Sequence, residues 1–145
     1  MKTTLLSLVA VLIVCAACDT HDVRIEKKQL PTDAQTLLDN YFSDRTIAYI
    51  VKEKDDASIE YEVMFTDGTQ IEFDKNGRWK EIKCQPQVPS ALIPEPILSY
   101  VQTQYPGVHI IGIDRGDHAE CYEIKLDNGI ALMFDKDGAF MYINS

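Results

Sequence analysis

From Ile59 onward apolar and polar positions alternate. Ile59, Tyr61, Val63 and Phe65 fall on one face of a strand, and Ile71 and Phe73 on one face of the next. The pattern returns 61 positions later, where YEVMFTDGTQIEFDKNGRW at 61–79 recurs as YEIKLDNGIALMFDKDGAF at 122–140. Identical pairs include Tyr61/Tyr122, Gly68/Gly129, Phe73/Phe134 and Gly77/Gly138, and Trp79 is answered by Phe140. The chain is a duplicated small module. A two-residue turn at Asp67-Gly68 would send one strand's apolar face outward. A three-residue turn, Thr66-Asp67-Gly68 with a left-handed glycine, instead pairs Val63 with Ile71 and Tyr61 with Phe73. The same count pairs Phe73 with Trp79, Tyr122 with Phe134 and Phe134 with Phe140, a meander with aromatic cross-strand pairs.

Helical periodicity precedes each copy. Thr32 and Gln35 form a T-x-x-Q capping box ahead of Ala34, Leu37, Leu38, Tyr41 and Phe42, spaced for one buried face. Thr46 to Glu53 reads as a further strand. A second helix begins near Pro94 to Pro96, runs through Ile97, Leu98, Val101 and Tyr105, and stops at Pro106-Gly107. The expected fold is α+β: two tandem α-β4 units at 29–84 and 94–145, each a helix on one face of a four-stranded antiparallel sheet, joined by a proline-rich linker at 85–93. Residues 18–28, polar and mixed in charge, read as a tether.

Composition adds the address. Met1-Lys2, an apolar run from Leu5 to Val14 and the small residues of Cys15-Ala16-Ala17-Cys18 have the layout of a bacterial export signal over 1–17. About ten apolar residues are too few to span a bilayer, which needs roughly 20. Ala16-Ala17-Cys18 resembles a lipobox, making Cys18 the expected lipidation site and first mature residue, and membrane contact is expected through that anchor only. The protein is then an exported lipoprotein on the periplasmic or cell-surface side. The net charge of −9 argues against nucleic acid, whose phosphates need a positive stripe. Cys84 and Cys121 remain either a disulfide or two separate thiols.

The order of helix, strand and Y-E-V/I…DG or NG…F-D-K-x-G-aromatic, twice over behind a lipoprotein-type signal, resembles the PepSY-like family of exported bacterial proteins, also described as similar to beta-lactamase inhibitor protein. The resemblance covers roughly residues 29 to 145. It implies a tandem α-β4 fold with the two sheets side by side and their helix-free faces available for binding, and it supplies no catalytic residues.

On the strand parity, the helix-free face carries Glu60, Glu62, Met64, Gln70, Glu72, Asp74, Arg78 and Lys80 in the first unit, and Glu123, Lys125, Ala131, Met133, Asp135, Ala139 and Met141 in the second. Of these, Glu60, Glu62, Met64, Glu72, Arg78, Lys80, Glu123, Lys125, Met133 and Met141 are the candidate partner-binding residues, since methionine at open positions makes an adaptable contact surface. Catalytic and metal motifs are missing. His109 and His118 have no ligand spacing around them, Asp135-Lys136-Asp137-Gly138 reads as a hairpin turn rather than a calcium loop, and there is no G-x-S-x-G, P-loop or C-x-x-C. The expectation is a non-enzymatic envelope module without cofactor or metal that engages an envelope protein through its sheet face. A small-ligand-binding or accessory structural lipoprotein is the alternative.

Overall fold

The computed structural model describes residues 22–55, 57–116 and 120–144. The signal at 1–17, Cys18, His21 and His118 lie outside the described residues. Nine strands follow in order: β1 (Val23–Arg24), β2 (Ile47–Lys54), β3 (Ile59–Phe65), β4 (Gln70–Asp74), β5 (Trp79–Lys83), β6 (Ile110–Asp114), β7 (Cys121–Leu126), β8 (Ala131–Asp135) and β9 (Phe140–Asn144). Helix α1 (Thr32–Tyr41) precedes β2, and α2 (Glu95–Gln104) precedes β6.

The expected pair of side-by-side sheets is not what forms. All nine strands make one antiparallel sheet in sequence order, because β5 and β6 pair across the boundary between the copies, with Glu81 opposite Asp114, Ile82 opposite Ile113 and Lys83 opposite Gly112. Two separate sheets would leave these edges with unpaired N–H and C=O groups. Pairing satisfies them and buries Ile82 and Ile113 almost completely. Residues 84–88 secure the join: Cys84 N–H donates to Ile111 O at 2.9 Å and Val88 N–H to Ile110 O at 2.7 Å. One apolar cluster therefore runs from Leu30, Ala34, Leu38 and Phe42 through Val63, Ile71 and Phe73 to Ile97, Val101, Ile124, Leu132 and Phe134.

Within each copy the hairpins follow the turn chemistry. Val63 pairs with Ile71 and Tyr61 with Phe73, Phe73 with Trp79, Tyr122 with Phe134 and Phe134 with Phe140. Gly68 and Gly77 take φ of 87° and 85°. Asp74 Oδ1 accepts from the amides of Asn76 and Arg78, and Asp135 Oδ1 from those of Asp137 and Ala139, so both carboxylates are spent on holding turns.

Two local expectations change. Pro31, not Thr32, is the N-cap of α1, and no side chain caps the helix. Gln35 Nε2 reaches back to Leu30 O at 2.8 Å instead of completing a box with Thr32. Part of the expected tether is built into the fold: Val23 pairs with Lys52 and Arg24 with Val51 on the sheet edge, and Lys27 pairs with Asp39 of α1. Cys84 and Cys121 are separate thiols. They lie on the order of 15 Å apart along the strand direction, far beyond disulfide reach.

Gly77 shows how tightly α1 sits. A Cβ there would come within 2.9 Å of Ala34 N and 2.8 Å of Pro31 Cβ, whereas one at Gly68 would meet open space. Both glycines have positive φ, so Gly68→Ala isolates the backbone cost, about 1 kcal/mol. Gly77→Ala adds the clash with helix backbone and is expected to cost about 3 kcal/mol. Urea unfolding midpoints of the two variants measure the difference, and equal losses would mean that α1 yields freely.

Candidate functional site

The helix-free face presents half-buried polar side chains in rows that cross the strands, and joining the two copies makes those rows continuous. Successive register partners run Glu62 to Glu72, Glu72 to Glu81, Glu81 to Asp114 and Asp114 to Glu123. Five acidic residues thus stand directly opposite one another on five adjacent strands. Arg24 and Val51 continue the row at one end, and Met133 and Tyr142 at the other. Like charges directly opposite on a sheet repel.

The next row supplies partial compensation. Gln70 lies opposite Lys83, Lys83 opposite Gly112, Gly112 opposite Lys125, and Lys125 opposite Ala131. Lys83 Nζ reaches Glu81 Oε2 at 2.8 Å, and Lys125 Nζ reaches Glu81 Oε1 at 3.2 Å and Glu123 Oε1 at 3.5 Å. Gly112 makes the second contact possible. A Cβ at that position would stand 3.0 Å from Lys125 Cβ and 3.2 Å from its Cδ, so the bare backbone is the floor over which Lys125 crosses the seam to Glu81.

Compensation is uneven. Burial raises the Glu81 carboxyl, but hydrogen bonds from Lys83 and Lys125 outweigh it and hold the group below its ordinary value. Glu72 has no such partner. It accepts one bond from Gln70 Nε2 at 3.3 Å, while the same amide serves Glu62 at 2.8 Å. Burial, followed by the charge of Glu81, pushes Glu72 up despite Lys83 nearby. Glu53 on β2 is raised in the same way, by burial and then by Asp22, Glu62 and Glu60.

Toward the strand ends the charge changes sign. Lys80 Nζ pairs with Glu60 at 2.7 Å and Arg78 Nε lies 3.7 Å from Asp74. With Lys75 and Arg115 they line a cleft of about 570 Å³, where the Arg115 guanidinium lies 4.5 Å from the centre of the Trp79 ring.

Of the residues expected here, Glu60, Glu62, Met64, Glu72, Lys80, Glu123, Lys125 and Met133 are half-buried on the open face, while Arg78 and Met141 are exposed at its margins. Sequence parity missed Glu81, Lys83 and Asp114. A β-bulge between Glu72 and Phe73 shifts β5 by one residue, which places Glu81 and Lys83, not Lys80 alone, on the open side. The signal was present: Trp79 and Ile82 are both apolar and three positions apart, as are Phe140 and Ile143, where two would be regular. His109 Nδ1 contacts Asp127 Oδ2 at 2.9 Å beside a turn. Among the described residues, no group of three or more His, Cys, Asp or Glu side chains is placed to hold a metal ion.

The family described as putative beta-lactamase-inhibitor-like, PepSY-like matches residues 59–142. Solved structures similar over most of the chain include three periplasmic proteins. One is a putative calcium-regulated periplasmic protein from Bacteroides thetaiotaomicron (38% identity, 86% of this chain and 97% of that one, TM-score 0.81). Another is a putative periplasmic protein of the DUF2874 family from Bacteroides vulgatus (37%, 86% and 98%, 0.81). A third, also from Bacteroides vulgatus, is described as a putative periplasmic protein of unknown function (35%, 86% and 99%, 0.79). No curated protein matches. These neighbours are described as periplasmic, and among the described residues no helix is long and apolar enough to cross a membrane. The doubled hairpin motif and the matched span agree: the chain belongs to the PepSY-like, beta-lactamase-inhibitor-like family.

Proposed function

We propose that this protein is a non-enzymatic binding module of the cell envelope, held at the membrane through a lipid on Cys18, whose open sheet face docks a protein partner and restrains or modulates it. The observation that carries the reading is the acidic ladder from Glu62 to Glu123. A fold gains nothing from aligning five like charges, and at Glu72 it keeps a half-buried carboxylate poorly paired. A basic partner surface would supply the missing counter-charges, with Met133 and Tyr142 offering apolar contact at one end. The ladder is a flat row served by lysines and an amide, which suits an extended macromolecular surface better than an enclosed small ligand.

One neighbour is described as calcium-regulated, and clustered carboxylates invite a divalent cation. The acidic ladder is where such a cation would screen charge on this chain.

Affinity capture from native envelopes, at low and high salt and with or without calcium, tests the reading. The native protein is expected to enrich a partner that Glu62→Lys/Glu72→Lys binds at least ~10-fold more weakly, with binding that falls as salt rises. Mass spectrometry of the mature N-terminus is expected to find an acylated Cys18. The same captured set for native and reversed proteins would overturn the docking face, and an unmodified Cys18 in the mature protein would overturn the anchor.

The ladder also has a stability signature. Because the Glu72 carboxyl is raised in the folded state, the native protein binds more protons than the unfolded chain between the unfolded and folded values, and this group's contribution worsens as pH rises. Glu72→Gln is therefore expected to stabilise at pH 7 by about 0.5 kcal/mol, a small figure because the site is partly solvated. The gain should vanish as pH falls below the ordinary carboxylate range. Thermal melts across pH check both parts, and destabilisation at pH 7 would show that Glu72 is well paired.

A further inference from the structure

We infer that β9 is a pairing edge through which two copies of this chain join their sheets. Met141, Tyr142 and Ile143 are each more than half exposed. The strand, FMYIN, has no charge and no proline. Edge strands are ordinarily protected by such residues, by a bulge that twists the edge away, or by a covering segment. Here the bulge lies toward the turn, between Met133 and Phe134, and among the described residues nothing covers the outer side of β9.

The internal repeat says how such a strand is finished. β9 stands 61 positions after β5, and β5 is finished by β6. Ile82 faces Ile113, Cys84 N–H donates to Ile111 O, and Arg115 N–H donates to Lys80 O. Even-numbered residues of β5 therefore turn their backbone groups toward the neighbour. The counterparts in β9 are Met141 and Ile143, so their N–H and C=O groups point outward.

On the opposite side of the sheet the corresponding strand is already paired from within the chain. The repeat counterpart of β6 is β2, where Val23 lies opposite Lys52 and Arg24 opposite Val51, and Ile25 N–H donates to Ile50 O at 3.0 Å. Ile50 precedes Ile111 by the same 61 positions. Val23, Arg24 and Ile25 thus occupy on β2 the places that Ile82, Lys83 and Cys84 occupy on β6. The edge left on that side is β1, only two residues long, so head-to-tail addition would have little backbone to pair with. The five-residue edge of β9 is better matched by a second β9, which gives a closed two-fold dimer rather than a filament. In the antiparallel register that uses all the outward groups, Met141 of each copy exchanges backbone hydrogen bonds with Ile143 of the other, and the two Tyr142 side chains face each other on the open side. The uncharged strand lets two copies of a chain carrying −9 approach here without opposing carboxylates on the strand itself. Extended across the two-fold, each acidic ladder continues through Met133 and a Tyr142 pair into the other copy's ladder.

The contact is one short strand, so a weak dimer is expected, populated near ~100 µM protein. Sedimentation equilibrium of the full-length protein should show a concentration-dependent doubling of mass. Ile143→Pro removes an outward N–H and leaves the pairing with β8 intact. Met141→Lys places charge at the edge without altering the backbone. Each should weaken association at least ~10-fold while circular dichroism stays native. Tyr142→Cys should oxidise to an intermolecular disulfide between the two introduced thiols, located by mass spectrometry, because directly opposed Cβ atoms lie about 5 Å apart. A monomer throughout the concentration range would overturn the inference. So would a dimer that survives both edge variants and gives no disulfide in the Tyr142→Cys form, which would mean that association uses another surface.

Discussion

Pairing of β5 with β6 turns two duplicated units into a single body. Each copy of the repeated sequence brings strands with a raw edge at the junction. Setting Ile82 opposite Ile113 closes that edge and buries two isoleucines, worth about 1.5–3 kcal/mol each, along with the backbone groups around them. It also makes one core from two. Without it the helix-side clusters around Phe73 and Phe134 would each be a half-core of marginal size.

The same pairing creates the electrostatic character of the open face. Glu62 and Glu72 belong to the first copy and Asp114 and Glu123 to the second. Glu81 becomes the middle of a five-residue ladder only because β5 meets β6 in this register. Lys125 reaches over Gly112 to Glu81 and relieves the seam itself, and the residual repulsion falls on Glu72. The strain therefore lies beside the join, on the face that the helices leave bare, where a basic partner would relieve it.

Much of the architecture is local and could be read from residues. The turns at Gly68, Gly77, Gly129 and Gly138 follow from glycine at a left-handed position and from strand parity, and the aromatic pairs follow from the turns. The second helix follows from Pro94 at its start and Pro106-Gly107 beyond its end. What resisted reading is non-local. No periodicity within β5 or β6 says that they pair, so separate sheets were the natural expectation, and the ladder was invisible with them. The bulge at Glu72/Phe73 hid Glu81 and Lys83 by changing which residues of β5 face outward. Pro31 took the cap position from Thr32, and residues 23–25, in a segment polar enough to suggest a tether, found a place because β2 offered an open edge. Family membership narrows the fold and specifies no function, so the functional reading rests on the open face itself.

Amide hydrogen exchange at the seam separates one sheet from two. If the duplicated halves form one sheet with one core, the Cys84 and Val88 amides, bonded to Ile111 and Ile110, will exchange only through global unfolding, with protection equal to that of Ile71 and Leu132 in the centre of each half. Fast exchange at Cys84 and Val88 while Ile71 and Leu132 stay protected would refute a single sheet. It would mean two units that merely touch, with no continuous ladder between them.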